Sequence, residues 1–428
     1  MRASGPRLLL ILTEWPPAIG GMQTHARYLA AHFARHAACV EVLTYRVTDP
    51  AMAEAARAFD GGCSHAVHRV LSRLGYWHNQ ELLLERIRVF RPDAIYASTV
   101  FYGLLRSRAG VPVVCRSVGN DVLRPWLGYP YPWGSRAIGS AAMQRALSWW
   151  LEHGQHPDWV DRLFRDGRQR VMRHAAAAHN GILANSDYTA NLLRAIGVAG
   201  ERIEVVSGGV AAGEFRPPPG ARAAARAELG VPEAAQVVLT VCRLVEKKGV
   251  EVLLDALARL RGEFPAIRLL IVGDGRRRRA YEACCARLGL ADVVRFEGRV
   301  QHEKIARYYW ASDVFALASY ESHHAGARDV ETMGRVLCEA NAAGVPVVAT
   351  ASGGTPSVLR DADNGLLVAP GDAQALAAAI RSLLRTPAQA SRLAGNGLAR
   401  ARLEFDWSAV MARNEAVVAR SLASPPAQ

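Results

Sequence analysis

No run of this sequence reaches the roughly 18 consecutive apolar residues that a membrane-crossing helix needs, so any contact with a membrane is expected to be peripheral. The apolar run Leu8–Leu12 is short, and Thr13-Glu14-Trp15-Pro16-Pro17 follows it in place of a small-residue cleavage site. It reads as a buried first strand of a cytoplasmic protein rather than a secretory leader. Paired cysteines are missing too. Cys39, Cys63, Cys115, Cys242, Cys284, Cys285 and Cys338 make an odd count with no C-x-x-C. Most stand among apolar neighbours, as small core residues of a reducing compartment do. Neither half carries G-x-G-x-x-G after its first strand. Beyond Ile271-Val272-Gly273-Asp274-Gly275, Arg276 and Arg278 fill positions that a dinucleotide fingerprint needs small, which argues against a nicotinamide-dependent dehydrogenase.

What is present is length and apolar content for two cores. The chain has 428 residues, 50% of them hydrophobic, more than one ordinary α/β core holds. A formal net charge of +13 suits nucleic acid, an anionic membrane face or small phosphorylated ligands. No nucleic-acid-binding signature accompanies the basic residues, so nucleic acid is not expected as a partner. The densest basic run, Arg276–Arg279, opens an amphipathic stretch and reads as a solvated helix face.

Short β-branched runs alternate with helical patterns, the mark of parallel sheets covered by helices. In the first half the expected strands are Leu8–Leu12, Val40–Thr44, Ala94–Ala97, Val111–Cys115, Gly181–Ala184 and Ile203–Val206. In the second they are Val237–Val241, Leu269–Val272, Val293–Glu297, Val314–Ala318, Val345–Ala349 and Gly365–Val368. Phe215-Arg216-Pro217-Pro218-Pro219-Gly220 is a stiff connection between them. The expected fold class is therefore α/β, with two Rossmann-like domains: 1–207, 208–404, and a terminal helix and tail at 405–428 that cross back to the first. Ligands bind beyond strand C-termini in such sheets, which points to a cleft facing both. Residues 122–178 interrupt the alternation with Arg124-Pro125-Trp126 through Trp133, Trp149-Trp150 and Trp159. They read either as an extra packed layer or as an acceptor pocket or lid.

The chemistry concentrates in the second half. Glu331 and Glu339 stand eight positions apart, too far to share a helix face, but they share a site if Glu331 lies in a loop and Glu339 in the first turns of the helix after it. Gly334 is placed where that helix begins, and free N–H groups there, at Gly334, Arg335 and Val336, favour a phosphate. Arg243 and Lys248 stand at the exit of the half's first strand, on the loop opening a helix, where a forked and a point cation can neutralise a diphosphate. Gly273 follows a second strand, and Gly298-Arg299-Val300 leave a third in a form suited to backbone contact with a base. In the first half Gly20-Gly21 bring bare N–H groups to a helix start, and Asp121 ends Ser117-Val118-Gly119-Asn120-Asp121. For metal, Asp361-Ala362-Asp363 precedes a turn and reads as a surface turn, while His65-x-x-His68 and His323-His324 lack a clustered partner.

Taken together, R-L-x3-K-G, G-D-G, F-x-G, E-x7-E with an inner glycine, G-x-P-V-V-A, G-G-x-P and N-G-L-L-V resemble, in order over 237–385, the donor half of the family 4 glycosyltransferases. Asp329-Val330-Glu331 after a Gly-containing insert is similar to the phosphatidylinositol mannosyltransferase branch. Trp15 through Met22 resembles the family's first strand exit. Val118 stands where the family commonly has His, Ser207-Gly208-Gly209-Val210-Ala211 replaces P-N-G-V-D at three positions, and Ser357 stands where Glu often follows G-G-x-P.

The resemblance implies a GT-B fold and metal-independent, retaining transfer of a hexose-type sugar from a UDP- or GDP-linked donor. The acceptor is a hydroxyl on a lipid-linked sugar, a glycan or a small molecule, and peripheral contact with an anionic membrane has room. No cofactor is expected beyond the donor itself. Arg243 and Lys248 would take the phosphate charge, Glu331 the sugar hydroxyls, Glu339 the ribose, and Asp121 would orient the acceptor hydroxyl. A sugar-nucleotide epimerase of the same architecture and a non-catalytic nucleotide-sugar binder are the rival readings.

Overall fold

A computed structural model describes residues 5–18, 20–123, 157–324 and 327–423, with isolated positions between 131 and 150. The chain forms two compact units. One comprises Met1–Val206 with Met411–Gln428, the other Ser207–Val410. The run 124–130, Trp133 and the tail 424–428 lie outside the described residues. No described helix is long and apolar enough to cross a membrane.

The first unit is built on a seven-stranded parallel sheet: β1 (Arg7–Ile11), β2 (Cys39–Tyr45), β3 (Ala66–Leu71), β4 (Ala94–Ala97), β5 (Val113–Ser117), β6 (Gly181–Ala184) and β7 (Ile203–Val205). Their order across the sheet is β3-β2-β1-β4-β5-β6-β7. Helices cover both faces, so the central strands are apolar throughout rather than alternating; β1 buries Leu8, Leu9, Leu10 and Ile11 together. The reading from sequence passed over β3. Its Ala-Val-His-Arg-Val-Leu is half-buried at the sheet edge, with Arg69 drawn aside to Asp60 at 2.7 Å, so no continuous apolar run marks it. Strand β5 begins at Val113 rather than Val111 because Pro112 has no N–H to give the ladder.

Helix α1 (Gly21–His36) follows β1. Helix α2 (Asp158–Ala178) is the longest described stretch of the aromatic excursion, and it buries Met172, Ala175 and Ala176 while Trp159 stays exposed. It approaches the turn Val100–Leu104 so closely that a Cβ on Gly103 would lie 1.9 Å from the Ala175 carbonyl oxygen.

His179 ends α2 fully buried, its Nε2–H donating to the Val100 carbonyl at 2.9 Å. Burial pushes its pKa down to about 4. The unfolded chain takes up this proton near pH 6.5, so between those values it binds more protons than the folded chain and stability falls as pH drops. The gap amounts to about 3 kcal/mol. Chemical unfolding followed from pH 7 to pH 4 is expected to show wild type losing that much more stability than His179→Gln. Parallel pH profiles for the two proteins would contradict the assignment.

The second unit has a six-stranded parallel sheet of β8 (Gln236–Val241), β9 (Ile267–Val272), β10 (Val294–Gly298), β11 (Val314–Leu317), β14 (Val347–Thr350) and β15 (Leu366–Val368), ordered β10-β9-β8-β11-β14-β15. A small antiparallel hairpin, β12 (Ser322–His324) with β13 (Ala327–Asp329), stands apart from that sheet. Its three-residue polar strands leave no periodic signal in the sequence. Helix α3 (Val250–Arg261) follows β8, and α4 (Arg335–Ala342) precedes β14. Helix α5 (Trp407–Ala423) returns the chain to the first unit, where Tyr96 Oη donates to Asn414 Oδ1 at 2.7 Å.

Candidate functional site

The loop leaving β8 carries three cations in six residues, Arg243, Lys247 and Lys248. A short turn, Glu246–Lys248, closes on Gly249 at φ 58°. A Cβ on Gly249 would lie 2.0 Å from the Ala318 carbonyl oxygen, so only glycine lets this loop lie against the exit of β11. There the Tyr320 N–H donates to the Lys247 carbonyl at 2.9 Å.

The adjacent lysines then grip one acidic segment. Lys247 Nζ donates to the Val330 carbonyl at 3.0 Å and pairs with Asp329 at 2.9 Å. Lys248 Nζ donates to Glu331 Oε2. Both members of that second pair are largely buried, at 10% and 15% side-chain exposure. Burial alone would raise the Glu331 carboxyl. Lys248, then Lys247 and Arg243, outweigh it and hold the group below the usual carboxylate range. Glu331 is therefore an ionised acceptor at neutral pH, fixed in a positive surrounding.

The other side of this segment is held by the loop after β14. The Gly354 N–H donates to the Glu331 carbonyl at 2.8 Å. Gly353 takes φ 55°, and a Cβ there would sit 2.2 Å from the same carbonyl. Gly334, at φ 88°, is the residue from which α4 starts. The opening N–H groups of a helix have no intrahelical acceptor, and Arg335 and Val336 are only partly buried at that end. Glu339 lies deeper, 3% exposed, accepting from Tyr309 Oη at 2.9 Å and facing Arg335 at 3.4 Å.

Gly273 and Gly298 meet each other, the Gly273 N–H donating to the Gly298 carbonyl at 2.8 Å. A Cβ on Gly273 would lie 1.9 Å from the Cys242 carbonyl, so this glycine serves the packing of neighbouring strand exits. Arg299 is exposed and Val300 half-buried beyond them. In the first unit, Gly20 precedes α1 and Gly21 begins it. Asp121 is 3% exposed and already committed: Ser117 Oγ donates to it at 2.7 Å and the Val100 N–H at 3.1 Å. Burial pushes its carboxyl above the usual range against those bonds.

The structure thus gathers Arg243, Lys248 and Glu331, and places Gly334 three residues beyond Glu331. It seats Arg335 against Glu339, and puts Gly20, Gly21 and Asp121 in the other unit. The sequence reading passed over Lys247 and Tyr309. The doubled lysine was the only signal for the first; nothing local announces the second. Asp361-Ala362-Asp363 is an exposed turn in which Asp361 accepts from the Leu367 N–H at 2.9 Å.

Two family profiles match the chain, "Glycosyltransferase Family 4" over residues 19–213 and "Glycosyl transferases group 1" over residues 221–400. The chain is 31% identical over 411 residues to a D-inositol 3-phosphate glycosyltransferase of Nocardioides sp., covering 91% of this chain and 82% of that protein. A GDP-mannose-dependent monoacylated α-(1-6)-phosphatidylinositol monomannoside mannosyltransferase of Corynebacterium glutamicum is 27% identical over 407 residues, 94% of each chain. Against two Streptomyces relatives the chain spans only 58% and 65% of their length. The fold matches an Anabaena crystal structure in complex with UDP, at 23% identity and a TM-score of 0.73 over 97% of this chain and 100% of that one.

Proposed function

Because this chain belongs to the family 4, group 1 glycosyltransferases, we propose that it transfers a hexose-type sugar from a UDP- or GDP-linked donor to a hydroxyl acceptor, with retention and without a catalytic metal. One observation carries the reading: a buried, ionised Glu331 clasped by Lys248 at the mouth of a cationic loop and three residues before a glycine-started helix.

An ammonium group has three N–H donors. One of Lys248's is taken by Glu331, leaving two for phosphate oxygens. Lys248 can therefore bridge sugar-binding carboxylate and leaving diphosphate. Arg243, exposed beside it, offers a forked contact to the same charge. As the glycosidic bond to the diphosphate lengthens, negative charge grows on phosphate and positive charge on the sugar ring. The two cations and the opening N–H groups of α4 stabilise the first, and fixed charges of this kind supply a large share of catalysis. Glu331 accepts from sugar hydroxyls and faces the oxocarbenium-like ring. Asp121, enclosed as it is, acts by holding the β5 exit rather than by touching the acceptor. For the acceptor we infer a lipid-linked sugar, a glycan or a small polyol.

The test is a donor screen. Purified protein incubated with UDP-glucose, UDP-N-acetylglucosamine or GDP-mannose is expected to release the nucleoside diphosphate from one of them, at a rate that EDTA leaves unchanged. Recovery of an isomerised, intact donor would instead establish the epimerase reading. Binding without turnover, with every acceptor class supplied, would establish the non-catalytic one.

A further inference from the structure

We propose that the first unit carries a transition-metal site, of the kind that takes Zn2+, formed by His32 and His36 of α1 and Glu415 of α5. It is separate from the glycosyl-transfer machinery and clips the terminal helix to the first one.

His32 and His36 are one helical turn apart and so share a face of α1. Their rings lie 4.4 Å apart between centroids. From α5, Glu415 brings a carboxylate to that face, 2.8 Å from His32 Nε2. One ligand-type atom from each of the three residues lies within 4.8 Å of the others. A tetrahedral ion with bonds of about 2.1 Å keeps its ligand atoms about 3.4 Å apart. Reaching that spacing asks the His32–Glu415 pair to open from 2.8 Å and the wider separations, at most 4.8 Å, to close. Two of the three have solvent-side room to adjust, since His36 is exposed and the Glu415 side chain is 44% exposed.

The tautomer of His36 favours the same conclusion, whereas the His32 Nε2 proton that faces Glu415 leaves as the ion enters. His36 Nδ1 lies 2.9 Å from the His32 carbonyl oxygen. A carbonyl only accepts, so Nδ1 carries the proton and Nε2 keeps its lone pair. A ligating histidine is commonly oriented this way, one nitrogen held by the protein and the other offered to the metal. His32 is anchored differently, by packing: it is 9% exposed and meets Phe33 edge-on. Two imidazoles and one carboxylate suit zinc, with water completing the fourth position.

The alternative is that His32 and Glu415 form a plain interhelix hydrogen bond and His36 is a bystander. His36→Gln separates the two, because it removes one proposed ligand and leaves the His32–Glu415 contact in place. The experiment uses the untagged, full-length protein after EDTA treatment, titrated with ZnCl2 by calorimetry and, in parallel, with Co2+ for the absorption of a tetrahedral site. We expect one saturable site, a Zn2+-dependent rise in the unfolding midpoint, and at least about a tenfold loss of affinity in both His36→Gln and Glu415→Gln. Basal glycosyl transfer in His36→Gln is expected to match wild type. No saturable binding, or affinity unchanged in His36→Gln, overturns the proposal. His36→Gln lies at an exposed position, so the result stands even if Glu415→Gln proves unstable.

Discussion

Lys248→Ala is expected to lower turnover by about a thousandfold, the upper range for removing one charge-stabilising donor from a preorganised site. The side chain holds Glu331 and, at 10% exposure, keeps two N–H donors for a phosphate. Its loss also leaves a buried carboxylate without its main partner, a change that costs up to about 3 kcal/mol when other cations remain nearby. The two effects separate in a double variant. Lys248→Met with Glu331→Gln removes both charges, so stability in denaturant should recover while turnover does not. Arg243→Ala, at an exposed position, should lower turnover with little effect on unfolding. Near-normal turnover in both Lys248→Ala and Arg243→Ala would remove the cations from the mechanism. The pair has a pH signature as well. Because the folded-state pKa of Glu331 lies below its ordinary 4.5, its stabilisation is present above pH 4.5 and is lost as pH falls through the folded value.

Gly353→Ala is the second large expected effect, and it acts without touching any charge. At φ 55° an added Cβ is strained by about 1–2 kcal/mol, and it would also stand 2.2 Å from the Glu331 carbonyl and 2.7 Å from Val330 Cγ2. Backbone cannot yield as a flexible side chain does, so the 330–331 segment must move. A displacement of about 1 Å in a positioned group costs on the order of a hundredfold in rate. Gly371→Ala is the control. It has a comparable φ of 79° but nothing within 4 Å of the added Cβ, so it should pay the backbone strain and keep activity. Equal kinetics for the two variants would show that Gly353 does not position Glu331.

The candidate site was legible where composition and position coincide. Arg243, Lys248, Glu331 and Gly334 were readable because cations at a strand exit and a glycine at a helix start have a chemical use independent of context. Lys247 was passed over because a buried lysine looks like a surface one until its acidic partner, 82 residues later at Asp329, is known. Asp121, expected to orient an acceptor hydroxyl, accepts from Ser117 Oγ and the Val100 N–H, partners that its sequence position does not announce. Edge strand β3 and the 322–329 hairpin escaped for lack of an apolar period.

By itself the sequence determined the class of fold: apolar runs buried on both faces can only be covered parallel strands, and two sets of them need two cores. It also determined which residue types stand at strand exits. Tertiary structure alone decided which of those residues meet. Ion pairs such as Lys248 with Glu331, and the His32, His36 and Glu415 group, join positions 83 and some 380 residues apart. Contacts at such separations are set by how sheets and helices pack, and no local pattern encodes them.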